Sequence, residues 1–93
     1  MYFALFYDTV SDYLERRQVH RAAHLAYAER AHQAGQLVLA GAFANPADGA
    51  LFVFRAESKS VAEEFAKNDP YVLNGLIKAW RVRDWTVVIG GEK

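Results

Sequence analysis

The sequence predicts an α+β sandwich with elements in the order βαββαβ. Three observations carry this: four short apolar segments bounded by turn residues, two helix-period segments lying between them, and strands that are apolar at successive positions. Hydrophobic residues make up 53% of the 93 residues and aromatics 14%, enough for one core, so residues 1–93 are expected to form a single domain.

The elements follow in order. Tyr2 to Tyr7 is aromatic and aliphatic throughout, too short for a typical helix, and stops at the polar Asp8-Thr9, which makes it the first strand. Ser11-Asp12 can cap a helix running from about Ser11 to Ala34, with Leu14, Arg17, Arg21, Leu25, Ala28 and Ala31 at helical spacing and Gly35 at the usual left-handed end. Leu37 to Phe43 and Ala50 to Arg55 are the second and third strands, joined as a hairpin through Asn45-Pro46 and Asp48-Gly49. Ser58 or Ser60 caps a second helix with the stripe Val61, Ala62, Phe65 and Ala66, which ends at Pro70. Tyr71 to Leu76 reads as a brief helical piece and Lys78 to Ile89 as a long final strand, after which Gly90 to Lys93 is expected to fray.

This is the ferredoxin-like split order, a four-stranded antiparallel sheet with both helices on one face. Strands that read YFALFY and LFVF are normally covered on both faces, so the face away from the helices needs a cover. A second copy of the same sheet is expected to supply it, as a homodimer. The rival is a C-terminal segment folded over its own sheet.

Eleven basic and eleven acidic residues cancel, so the chain lacks the positive field that nucleic acid or an anionic membrane requires, and neither partner is expected. The absence of cysteine removes thiolate nucleophiles, thiolate metal ligands and disulfides. With no basic n-region and no long apolar run at the N-terminus, a cytoplasmic protein is expected.

His20 and His24 share one side of the first helix, but the segment HRAAH lacks the glutamate of the zinc-protease pattern, so no metal is expected. Haem ligation by His20, His24 or His32 has no further residue pattern behind it, and no cofactor is expected. His24 adjoins the apolar stripe and is placed at the edge of the face that meets the sheet. There an imidazole suits acid or base work, unless it is a core histidine satisfied by a carbonyl.

Asp69 is its expected partner. In this fold both helices are expected to run antiparallel to the two central strands and so roughly parallel to each other, which puts His24 roughly 20 Å along the first and Asp69 roughly 17 Å along the second, at similar depth. An aspartate at a helix C-terminus opposes the dipole and so calls for such a partner, or else serves a turn before Pro70. Arg21 is a candidate to hold an anionic oxygen, and Tyr7 and Tyr71 either line a pocket or pack.

His24-Leu25 after Arg21, LVLAGAF in the second strand, NDPYVLNGL after the second helix and Trp85 late in the last strand together resemble the YciI-like (YCII-related) family. The resemblance spans essentially the whole chain, with the DPY segment and the helix histidine its most specific parts. Gly41 stands at the family's strand glycine, and Ala42 replaces the proline that usually follows it. The resemblance implies a dimeric α/β barrel, a cleft with His24 and Asp69 as its active site, and a small-molecule ligand met there by Arg21, Gly41, Tyr71 and Tyr7. One lineage of the family removes chloride from a chlorinated hydroxyhydroquinone, which implies lyase- or isomerase-like proton transfer on a small ring. The alternative is a binding or accessory module that uses the same cleft without turnover.

Overall fold

In the computed structural model, which describes residues 1–91, the elements are β1 (Tyr2–Thr9), α1 (Tyr13–Gln33), β2 (Leu37–Ala42), β3 (Gly49–Arg55), α2 (Ser60–Asn68), α3 (Pro70–Leu73) and β4 (Ile77–Trp85). The four strands form one sheet in the order β2-β3-β1-β4, antiparallel at every pairing. Because β3 separates β2 from β1, this is the expected split α+β arrangement.

Alternation along the strands sorts the two faces. Phe3, Leu5 and Tyr7 of β1 and Phe52 and Phe54 of β3 point toward the helices and meet Ala62, Phe65 and Ala66 of α2. Each large side chain buried this way contributes about 1.5–3 kcal/mol. On the other face lie Ala4, Phe6, Leu51 and Val53, with the Arg81 guanidinium 4.4 Å above the Phe6 ring and Trp85 at the rim, 45% exposed.

Several expected boundaries move, each for a physical reason. β1 continues through Asp8 and Thr9 because their backbones are still paired, Asp8 with Gly49 and Thr9 with Ile77. β4 ends at Trp85 rather than Ile89 because Trp85 pairs with Tyr2, where its neighbour begins. The Asp12 side chain makes no cap and instead pairs with Arg16 at 3.7 Å, while Ser58 and Ser60 bond each other at 2.7 Å. Gly35, at φ 83°, does end α1 as expected. Gly49 is obligatory for a different reason: a Cβ there would sit 2.6 Å from the Tyr7 carbonyl oxygen. Gly91 packs beside Val87 and Tyr2, and the remainder of the tail, Glu92 and Lys93, falls outside the described residues.

Two corrections matter for the site. The inward face of α1 departs from the expected stripe at several positions: Leu14 and Leu25 are about half exposed, whereas Tyr13 and His24 are buried and Tyr27 joins the expected Ala28 and Ala31 on the core. The helices are also not parallel. β1 and β3 are antiparallel, and α1 and α2 each reverse the direction of the strand before them, so the two helices oppose each other. Contacts between them confirm this, since His24 meets Asp69 while Tyr27, further along α1, meets Phe65, further back along α2.

Candidate active site

The site begins with local chemistry at Asp69-Pro70. Pro70 occupies the first turn of α3, where its missing N–H costs nothing, and Asp69 before it is extended at ψ 129°. Asp69 thus closes α2 and caps α3, its Oδ1 accepting the Tyr71 backbone N–H at 2.9 Å. The same Oδ1 accepts from His24 Nδ1 at 2.8 Å, and Oδ2 accepts from the Tyr7 hydroxyl at 2.7 Å. The partner and turn readings of Asp69 therefore both hold.

His24 reaches this carboxylate because the helices run in opposite directions. It lies nine residues before Gln33 at one end of α1, and Asp69 lies nine after Ser60 at the facing end of α2. At 1.5 Å per residue both stand about 14 Å from that shared end. The expected meeting of the two side chains is found, for a reason opposite to the expected one.

Asp69 is fully buried, and a carboxylate taken from water is destabilised unless its oxygens are satisfied. Three donors converge on it, the arrangement of an acceptor at both oxygens. With Asp69 accepting, Nδ1 of His24 carries the hydrogen, which fixes the tautomer and leaves Nε2 for chemistry. Among the described residues Nε2 has no partner, and it is not sealed from solvent.

The imidazole is held flat as well as pinned at one nitrogen. Tyr71 stacks on it with ring centroids 3.8 Å apart and planes 7° from parallel, while Phe52 meets it edge-on at 6.1 Å. Tyr13 in turn braces Tyr71 edge-on at 5.8 Å. Burial pushes the Tyr71 hydroxyl up to about 12. Burial also raises the Tyr7 hydroxyl, and the Asp69 charge raises it further, so Tyr7 stays a phenol that donates.

Beside His24 opens a cleft of about 270 Å³ between α1 and the β2–β3 side of the sheet. Its walls there are small: Ala40, Gly41, Ala42 and Ala50. Gly41 pairs with Leu51, which faces away from the helices, so its backbone lines the cleft while a Cβ would project into open space on the other face. Arg21 is exposed at the mouth and Arg17 is half-buried beside it. The structure thus brings His24, Asp69, Tyr7 and Tyr71 into one network, with Arg21 and Gly41 on the cleft it serves.

Sequence reasoning missed three things here. Tyr7 anchors the carboxylate from behind, which its shared parity with Phe3 and Leu5 could have signalled. Tyr13 belongs to the cleft, and so does Arg17, which lay on the expected stripe of α1 but was given no role there. Thr9, the third, lines the cleft with its Oγ1 buried and unpartnered. Among the described residues no group of His, Cys, Asp or Glu is arranged to hold a metal ion, and no helix is long and apolar enough to cross a membrane.

Comparison with known proteins agrees with this fold. The model of the YCII-related domain matches residues 1–86. A solved structure similar to the chain is the 5-chloro-2-hydroxyhydroquinone dehydrochlorinase TftG from Burkholderia phenoliruptrix AC1100, in complex with 2,5-dihydroxybenzoquinone. It is 26% identical, the match covers 92% of this chain and 94% of that one, and the TM-score is 0.79. No curated protein matches the chain.

Proposed function

The chain belongs to the YCII-related domain family, and we propose that it is a small-molecule enzyme in which His24 and Asp69 perform acid–base chemistry on a single hydroxylated ring. One observation carries the reading: the His24 imidazole is pinned through Nδ1 to a fully buried carboxylate and offers Nε2 to a cleft. A volume of about 270 Å³ lies just below the ~300–1,000 Å³ of drug-sized pockets, so one ring fits.

In this reading Nε2 takes the proton of a ring hydroxyl, and Asp69 supports the imidazolium that forms. The proton returns to a ring carbon, giving a keto tautomer. Where that carbon bears chloride, loss of a second hydroxyl proton expels the chloride and leaves a quinone, a net loss of hydrogen chloride. The similar dehydrochlorinase supports this as the reaction class. Tyr71 holds the imidazole plane, Tyr7 positions Asp69, and Arg21 and the Gly41 backbone border the substrate.

The test is chloride release from 5-chloro-2-hydroxyhydroquinone and related halogenated hydroquinones, with native protein and His24→Gln. Turnover that depends on His24 supports the proposal. Binding of such compounds with no turnover by the native protein would assign the cleft to a ligand-binding module instead.

We further propose a homodimer formed through the sheet face that carries Phe6, Leu51 and Trp85. Light scattering should give twice the chain mass, and Phe6→Glu, which sets a charge in the middle of that face, should give the monomer. A native monomer would rule the dimer out.

A further inference from the structure

The first half of α1 concentrates cations in an electrostatically unfavourable place. Arg16, Arg17 and Arg21 lie toward the positive end of the helix dipole, and Arg17 and Arg21 are four residues apart, where like charges repel. Arg16 has partners, the Asp12 carboxylate at 3.7 Å and the Asn74 carbonyl oxygen at 3.2 Å. Arg17 and Arg21 have no acidic partner among the described residues. Arg17 meets Tyr13, its guanidinium 5.3 Å from the ring centre and 3.5 Å from the hydroxyl.

These two arginines line the His24 cleft, and among the described residues no aspartate or glutamate side chain lines it with them. Arg17, Arg21 and His24 fall on successive turns of one helix face, with Arg21 about 4.5 Å and Arg17 about 10 Å along the axis from His24. Both guanidinium groups are near enough to Tyr71 to favour its ionised form against the effect of burial. Positive potential therefore fills the mouth of a cleft whose inner wall carries the imidazole.

Resting on the acid–base reading above, we infer that the ligand is a one-ring anion, oriented with its charged substituent on Arg17 and Arg21 and its exchangeable proton at His24 Nε2. A planar guanidinium matches a carboxylate or a ring oxyanion by paired N–H bonds, and two arginines on adjacent turns span a substituent on the far side of a ring from His24. The pair selects for charge and sets orientation, while His24 acts on the proton.

Titration calorimetry on the whole chain tests this with matched probes. Gentisate against its neutral amide examines a carboxylate, and 2,5-dihydroxybenzoquinone against its neutral dimethyl ether examines a ring oxyanion. At least one anion should bind about tenfold more tightly than its neutral match, and the pair that shows it identifies the charged group. The preference should fall to near unity in the Arg17→Gln/Arg21→Gln double variant, whose changes lie at the cleft mouth and leave the buried core intact. It should survive in His24→Gln. Equal binding of charged and neutral probes, no binding of either anion, or a preference that persists in the double variant would overturn the inference. Since His24→Gln tests turnover and the arginine variants test charge selection, failure of the acid–base proposal and failure of this one give different results.

Discussion

Toward the C-terminal half of α1, Tyr27 stacks on Phe65 at 4.7 Å, Phe65 meets Phe52 and Phe54 at 5.4 and 5.2 Å, and Ala62 and Ala66 are fully buried. One to two turns nearer its N-terminus, the same helix faces Ala40, Ala42 and Ala50, and the space left is the cleft. Both regions lie on one face of one sheet. Aromatic rings close the gap between helices and sheet in the first region, while methyl groups leave the second open down to the sheet beside a hydrogen-bonded network. A small domain can thus hold rigid packing and a reactive pocket side by side because side-chain size varies along a single layer.

The sharpest break of that contrast is in rate. His24→Gln should lower turnover by about 10²–10⁴ while leaving the packed region untouched, as read by steady-state kinetics alongside a melting curve. A comparable loss of melting temperature would make His24 a structural residue. Next come two truncations of similar cost and different meaning. Asp69→Ala leaves three donors without their acceptor and should destabilise by about 3–5 kcal/mol with loss of activity. Phe65→Ala should also destabilise by about 3–5 kcal/mol, but its folded fraction should keep its turnover. Denaturant titration with parallel assays separates them.

The packed region was the more legible of the two. Phe52, Phe54, Ala62, Phe65 and Ala66 are apolar and buried, so hydrophobic pattern and burial agree there. Around the cleft they part. His24 was placed only at the edge of the inward face yet is buried, and Leu14 and Leu25 read as core yet are about half exposed, so hydropathy places only part of the inward face of α1. Asp69 was legible because an aspartate at a helix end before a proline is a local signal for a turn or a cap. That Tyr7 would reach it was not, since a contact between residues so far apart in sequence depends on the pairing of β1 with its neighbours. The relative direction of the helices follows from strand direction alone, and an error there still yielded the right pair because both residues sit near the middle of the layer.

Filling the open region should make it resemble the closed one. Ala42 pairs with Ala50 on the cleft wall and is itself exposed, so Ala42→Leu should be accommodated with little change in stability. Ligand affinity should fall by about tenfold, an effect near 1.4 kcal/mol that calorimetry reads directly. An unchanged affinity would place the ligand elsewhere.

The smallest effect concerns Tyr7, the residue that joins the two regions through its ring contact with Phe52 at 4.7 Å and its hydrogen bond to Asp69. Tyr7→Phe removes one buried hydrogen bond and should destabilise by about 1 kcal/mol at neutral pH. Its hydroxyl, like that of Tyr71, is raised in the folded chain above its ordinary value, by burial first and for Tyr7 by Asp69 as well. The unfolded chain therefore loses these protons first as pH rises. The contribution of these two hydroxyls to stability should be flat below about pH 10, then decline as pH climbs toward 12, where the Tyr71 hydroxyl of the folded chain also ionises. Tyr7→Phe removes one of the groups responsible, so its stability should fall less steeply above pH 10 than that of the native chain, and the gap between the two should narrow. Parallel slopes in denaturant titrations at increasing pH would mean that Tyr7 ionises alike in both states, and that its bond to Asp69 does not hold the hydroxyl in place.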